Sequence, residues 1–425
     1  MDRRSFIKKS SATSAGVVAT FGMPSFKKAE KLKIGLIGAG WYGMVIIKSA
    51  LKTGDVEVTA VCDVDSDHLQ SSAGEIEKLQ GSRPKEYKDY RELLDQKGLQ
   101  AIFIGTVPHW HALQFIDACE KGYDIFCEKP LAYDVEEGKA MAEAASNAGN
   151  IVQVGFQRRQ AESYKMVKEL LKEGKAGNIH QIEAHIHYNP NFKDTTIQDP
   201  PASLDWDAWC GPAPKLDYRP SIGHFAWRLE KEYGNGHLVD WGIHHIDIIR
   251  QIMDFDMPES FDSTGDMVTH QGKMTTPDTL QAKMNFENCP VTWKHRLWGA
   301  GDLHRNYNNG ILFYGEKATV FANDRKIVIM PAGKGAEQKF MDFSTKGMQD
   351  KHVADFVHAV KTKDKSLISC TVDDAFKSTS TVQLAMISYY TNSMVKWENK
   401  TNTIRENPKA GGLLARAYRD GYKRP

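Results

Sequence analysis

The sequence carries almost no excess of either charge: 55 lysines and arginines face 54 aspartates and glutamates over 425 residues. Without a net field nothing gathers phosphate backbones or anionic lipid, so nucleic acid is not an expected partner. Long apolar runs are also missing. The most apolar stretch near the start, 12–26, is shorter than the roughly 20 residues a membrane span requires and is diluted with Ser, Thr and Gly, so no membrane span is expected. Six cysteines (Cys62, Cys119, Cys127, Cys210, Cys289 and Cys370) are scattered without metal-type or redox-type spacing and read as small buried hydrophobes. No internal repeat or long low-complexity segment occurs, which excludes solenoids and fibres.

What is present is enough chain for two cores, because single cores stop growing near roughly 250–300 residues. Residues 1–30 differ from the rest. Asp2-Arg3-Arg4-Ser5-Phe6-Ile7-Lys8 followed by a weakly apolar segment reads as a twin-arginine leader, implying export in the folded state to the periplasm. No clean small-x-small cleavage site precedes Glu30, so removal and retention as a tether both stay open.

From 31 to 155 strands and helices alternate. An apolar run at 33–37 leads into Gly38-Ala39-Gly40-Trp41-Tyr42-Gly43 and an apolar helical stretch at 44–51. In a strand–turn–helix of this kind the first glycine permits the tight turn and the second admits a pyrophosphate; the third lets helix pack on strand. A second strand, 56–61, ends at Asp63, where a carboxylate can accept from the ribose hydroxyls of a dinucleotide. That favours NAD, with NADP left open. Further strands at 101–105, 123–127 and 151–154, with helices at 90–95, 110–121 and 134–147, predict a doubly wound parallel sheet of Rossmann type. Ligands bind beyond the carboxyl ends of such strands, which points to the glycine turn, to 106–111 and to 128–130.

Glu128-Lys129-Pro130 behind an N-terminal G-x-G-x-x-G resembles the glucose–fructose oxidoreductase and inositol dehydrogenase (Gfo/Idh/MocA) family, over a span from about 31 to 390. Thr106-x-Pro108-x-x-His111 is similar to the family segment that flanks the nicotinamide; Gly155-Phe156-Gln157-Arg158 is similar to the next strand end, and Asp240-x-x-x-His244 to its catalytic Asp/His pair. The resemblance implies a cofactor site made of Gly38, Gly40, Trp41, Tyr42, Gly43, Asp63, Thr106, Pro108, His111, Glu128, Lys129 and Gln157. It also implies a cis peptide between Lys129 and Pro130. The stretches 204–212 and 413–419 look like those of exported, carbohydrate-associated members.

Hydride leaves an alcohol carbon only as the hydroxyl proton departs, so the site needs a base and a donor for the developing oxyanion. Lys129, Asp240 and His244 are the candidates. On a helix over 239–250, Asp240 and His244 stand one turn apart, so that the carboxylate would orient the imidazole. His starts near pKa 6.5 and Lys near 10.4, which makes His244 the cheaper base and Lys129 the donor and relay, although the two roles can be shared.

The second half, 156–395, is expected to be an α+β domain. It opens with a helix at 161–173 and a strand at 179–188, followed by strands at 262–270, 279–286, 291–298, 310–314, 318–322 and 326–330. Short connections predict a large, mostly antiparallel sheet; the family resemblance implies that one of its faces is free to form a homo-oligomer, and 396–425 is expected to be a tail. Six tryptophans, Trp206, Trp209, Trp227, Trp241, Trp293 and Trp298, fall in or beside this half, and aromatic planes pack on the C–H faces of sugar rings. Arg158, Tyr188, Trp227, Arg228, Trp241 and His245 are therefore the candidate substrate contacts. The pairs His109/His111 and His185/His187 and the cluster His244/His245/Asp247 are spaced as packed or solvated faces, and no metal is expected. The expected function is an NAD-dependent dehydrogenase that oxidises a secondary hydroxyl of a sugar or glycoside, at C3, to a keto-sugar. A redox-assisted glycosidase with tightly bound NAD and a non-catalytic nucleotide-binding protein stay open as alternatives.

Overall fold

The computed structural model describes residues 30–287, 289–300 and 307–425; the leader expected at the N-terminus lies outside them. Six parallel strands, β1 (Leu32–Ile37), β2 (Val56–Cys62), β3 (Lys85–Tyr87), β4 (Ala101–Ile104), β5 (Asp124–Cys127) and β6 (Val152–Val154), form one sheet in the order β3-β2-β1-β4-β5-β6. The strand order reverses between β1 and β4, the crevice where open α/β sheets bind ligands. Between these strands run α1 (Trp41–Lys52), α2 (Ser66–Gln80), α3 (Tyr90–Leu94), α4 (Pro108–Glu120) and α5 (Val135–Ala148). Strands β1, β4 and β5 are apolar and almost wholly buried, as expected where helices cover both faces.

After β6 a 3-10 turn, Gln157–Gln160, and α6 (Glu162–Lys172) lead into a ten-stranded sheet. It contains β7 (Ile179–His187), β8 (Ser260–Asp266), β9 (Thr279–Phe286), β10 (Cys289–Arg296), β11 (Asn309–Gly315), β12 (Ala318–Ala322), β13 (Lys326–Pro331), β14 (Lys339–Asp342), β15 (Val395–Glu398) and β16 (Thr403–Arg405). All adjacent pairs are antiparallel except β7 with β10, which run parallel with Val291 opposite Ile182. The remaining helices are α7 (Trp206–Cys210), α8 (Ile243–Met253), α9 (Met348–Thr362), α10 (Val372–Thr391) and α11 (Pro408–Gly411).

The sequence reading did not give β3, β14 or α2, and three further departures from it have a visible physical cause. The strand expected to reach residue 270 ends at Asp266, because the Asp278 carboxylate accepts from the backbone N–H groups of Val268, Thr269 and His270 at 3.0, 2.7 and 2.9 Å and folds that stretch into a turn. Residues 396–405, expected in a tail, complete β15 and add β16 at the sheet edge: Val395 and Trp397 point inward and Lys396 outward, the period of a half-buried strand. Helix α9, distant in sequence, lies on the parallel sheet, where Phe356 packs edge-on to Phe103 and Phe126 with ring centroids 5.4 and 5.8 Å away. All six cysteines are buried and unpaired, as expected. Among the described residues no helix is long and apolar enough to cross a membrane.

Candidate active site

The glycine turn joins β1 to α1 at the switch point. Gly38 adopts φ +86, and a Cβ there would meet the Thr106 amide nitrogen at 2.7 Å; a Cβ on Gly43 would collide with the Gly38 carbonyl oxygen. Gly40 caps α1 without any side-chain hydrogen bond, so the first-turn N–H groups have no side-chain acceptor. A cradle that only glycine fits, with open donors at a helix N-terminus, suits a pyrophosphate. Asp63 lies beside it, its Oδ2 accepting from the Ala39 N–H at 2.7 Å and its Oδ1 from the Asp65 N–H at 2.9 Å. Burial pushes its carboxyl up against the pull of those donors.

A cavity of about 1030 Å³ runs from this turn to the second sheet, at the upper end of the roughly 300–1,000 Å³ of small-molecule sites. Lys129 enters it from the end of β5, and the Lys129–Pro130 peptide is cis. Its Nζ donates to the Asp240 carbonyl at 2.8 Å and to Asp240 Oδ1 at 3.1 Å, while Arg228 Nε stands 3.3 Å from Asp240 Oδ2. Burial alone would raise the Asp240 carboxyl; Lys129 and Arg228 outweigh it and hold the group below the usual carboxylate range.

The expected partnership of Asp240 with His244 is replaced by this one. Residues Leu238–Gly242 form a π turn before α8 begins at Ile243. The wider turn breaks the i, i+4 alignment of a continuous α-helix, and the Asp240 carboxylate faces Lys129 and Arg228 instead. His244 Nδ1 is buried with no hydrogen-bond partner, leaving Nε2 as the ring nitrogen open to the cavity. Burial, then the charges of Lys129 and Arg158, push His244 well below the ordinary imidazole range, so it is neutral at pH 7.

Around this centre the cavity wall includes Gly38, Gly40, Trp41, Tyr42, Asp63, Thr106, Glu128 and Gln157 on the parallel-sheet side. Gln157 Nε2 donates to the Tyr42 hydroxyl at 2.6 Å, and Glu128 is buried enough to have its carboxyl pushed up to about 8. On the other side stand Arg158, Tyr188, Trp227, Arg228 and Trp241, and the Arg158 guanidinium sits 5.3 Å from the centre of the Trp241 ring. Pro108, His111, Gly43 and His245 are behind the wall. His111 is fully buried, its Nδ1 2.9 Å from the Pro130 carbonyl oxygen and its Nε2 3.1 Å from that of Thr106, so it ties together two strand ends and does not itself face the cavity. His245 Nε2 meets Asn309 Oδ1 at 3.0 Å, and it is Asn309, a residue no motif singled out, that reaches the cavity. The tryptophans separate likewise. Trp206 and Trp209 stack at 4.6 Å in a small core that also contains Trp227, and from it Trp209 and Trp227 reach the cavity; Trp293 is buried beneath the π turn, and Trp298 donates to Thr279 Oγ1 at 2.8 Å.

Comparison with known proteins agrees with this geometry. Residues 32–156 match the profile of an oxidoreductase family's NAD-binding Rossmann fold, and residues 188–424 match the same family's C-terminal alpha/beta domain. The chain is 25% identical over 351 residues to myo-inositol 2-dehydrogenase of Thermotoga maritima, covering 80% of this chain and 91% of that protein. It is 25% identical over 222 residues to a glycosyl hydrolase family 109 protein of Stenotrophomonas maltophilia, covering 50% of this chain and 48% of that one. The fold is shared with the crystal structure of aldose-aldose oxidoreductase from Caulobacter crescentus, at a TM-score of 0.67 and 15% identity over 86% of this chain and 100% of that one. With both profiles matched in order, and the glycine cradle, Lys129 and Asp240 gathered on one cavity, the chain belongs to the Gfo/Idh/MocA oxidoreductase family and carries its NAD-binding Rossmann domain.

Proposed function

We propose that this protein oxidises a secondary hydroxyl of a sugar, polyol or glycoside, C3 of a pyranose being the favoured position, with NAD as the acceptor. The observation that carries the proposal is the convergence of Lys129, Asp240 and His244 on one cavity that also holds the glycine cradle and the exposed face of Trp241. When bound, the nicotinamide supplies a hydride acceptor. Lys129, fixed by the backbone carbonyl and Oδ1 of Asp240, donates a hydrogen bond to the substrate oxygen as negative charge develops there. Neutral His244 receives the hydroxyl proton at Nε2, and the cationic neighbours that lower its affinity for that proton favour passing it on. Asp63 favours NAD over NADP, since a carboxylate repels a 2′-phosphate. Names of relatives that act on inositol and aldose support a polyhydroxylated substrate.

The twin-arginine leader supports export of the folded protein to the periplasm with its cofactor already in place. The uncovered face of the ten-stranded sheet, where Gln281 and Lys283 lie exposed, supports a homo-oligomer formed through it. A second reading, glycoside cleavage through transient oxidation, is favoured by the family 109 relative. Purified protein offered a panel of sugars, inositols and glycosides with NAD or NADP should form reduced cofactor and a keto product. Lys129→Met should lose about 10²–10⁴-fold in turnover while still binding NAD. Full turnover in that variant would sink the proposed role, and cleaved glycoside without net reduced cofactor would select the second reading.

A further inference from the structure

We propose that Asp65, His68 and His224 form a binding site for one first-row transition ion of the zinc type, clamping a loop of the second half onto the edge of the dinucleotide cradle. The three side chains come from two distant parts of the chain: Asp65 and His68 from the start of α2, and His224 from the loop between α7 and the π turn. Their donor atoms all lie within 4.8 Å of one another.

Each donor is held. Asp65 caps α2, its Oδ1 accepting from the Asp67 N–H at 2.9 Å, which leaves Oδ2 facing His224 Nε2 at 2.7 Å. His68 follows three residues later on the same turn, with its ring centroid 4.2 Å from that of His224. The segment that carries Asp65 is itself fastened to residues 203–205, ahead of α7: the Ser66 N–H donates to the Ser203 carbonyl at 2.9 Å and the Asp205 N–H to the Val64 carbonyl at 3.1 Å. His224 adopts φ +35, a left-handed backbone region that side-chain-bearing residues seldom occupy, and its ring meets Asp65 from there.

Zinc binds imidazole nitrogen and carboxylate oxygen at roughly 2.0–2.2 Å, which sets tetrahedral donors about 3.3–3.5 Å apart. The Asp65–His224 pair needs only to open slightly and the His68 ring to swing inward. Two imidazoles and a carboxylate suit zinc, cobalt(II) or nickel(II), whereas magnesium and calcium prefer all-oxygen sites. Asp65 is almost fully buried and the two histidines are partly exposed, so a fourth position is left toward the cavity that His68 and His224 line. Phe225, next in the chain, packs on Trp41 of the glycine turn at 5.6 Å. An ion at this point therefore pins Phe225 and its loop over the cofactor entrance.

The test uses the full-length protein, stripped with a chelator and titrated with Co²⁺ and Zn²⁺ by calorimetry and visible absorption. One equivalent of Co²⁺ should bind with the d–d bands of a four-coordinate nitrogen/oxygen site, Zn²⁺ should displace it, and Mg²⁺ should not compete. His68→Gln is the deciding variant, because the His68 side chain makes no hydrogen bond among the described residues and a purely structural role would leave metal affinity untouched. It should weaken Co²⁺ at least about tenfold, and His224→Ala should do the same. Chelation should speed release of bound NAD from the parent protein but not from His68→Gln. Absence of stoichiometric Co²⁺, or equal affinity in parent and His68→Gln, would overturn the proposal and leave Asp65 and His224 as a simple hydrogen-bonded pair.

Discussion

Arg159 and Asp247 form an ion pair whose side chains are 3% and 1% exposed, with Arg159 Nε donating to Asp247 Oδ2 at 2.8 Å. Arg159 follows Gln157 and Arg158 on the 3-10 turn at the end of β6, and Asp247 lies three residues after His244 on α8, so the pair locks the cofactor side of the cavity to the helix that carries His244. Asp247→Ala takes from the guanidinium its fully buried carboxylate. Its remaining partners are the Ser369 carbonyl at 2.8 Å and Asp374, which is 39% exposed and compensates weakly. Removing one member of a buried pair costs about 3–5 kcal/mol. Unfolding about 400 residues carries an entropy near 0.8 kcal/mol per kelvin, so the melting midpoint should fall by about 4–6 °C. The companion variant Arg159→Met/Asp247→Leu leaves no orphan charge and should recover most of that loss, while turnover stays low because the fixed register is gone. Scanning calorimetry and turnover on the three proteins decide the matter. A fall below about 1 °C in Asp247→Ala, or a double variant less stable than the single, would refute the reasoning.

Gly43→Ala places a methyl against the Gly38 carbonyl oxygen and should cost at least about tenfold in NAD affinity by fluorescence titration of the reduced cofactor, with unchanged affinity counting against the cradle. His109 is fully buried, and burial, then Arg416, push it down to about 3 from 6.5. Because the folded pKa is depressed, its contribution to stability is complete above pH 6.5 and is lost as pH falls toward 3. Urea unfolding at several pH values between about 6.5 and 4 should show a slope shallower by about 1.4 kcal/mol per pH unit in His109→Gln than in the parent, and parallel slopes would disprove it.

Five of the six strands of the parallel sheet were readable in advance because each is a short apolar run ended by glycine or a polar residue, a pattern that covers only its own neighbours, whereas β3 is the charged edge triplet Lys85-Glu86-Tyr87 and carries no such run. Helices α2 and α9 were not read from the sequence. Their exposed faces are polar, and the apolar stripe of α9 acquires meaning only when Phe356 meets Phe103 and Phe126. In the site, Lys129 was legible from Glu128-Lys129-Pro130, whereas Asn309 carried no local signal and reaches the cavity only through its strand and His245. His111 and His245 were legible as important but misplaced, since a motif reports that a residue matters and not which way its ring turns.

Composition and local pattern by themselves determined the dinucleotide turn, the alternating strands and helices and the set of ionisable residues available for chemistry, because glycine geometry and hydrophobic period are properties of neighbours along the chain. Tertiary structure alone decided that Asp240 serves Lys129 and Arg228 and does not bond His244, that most of the tryptophans are core, and that Asp65 and His68 meet His224. Those outcomes depend on a π turn and on contacts between segments more than a hundred residues apart, which no local spacing encodes.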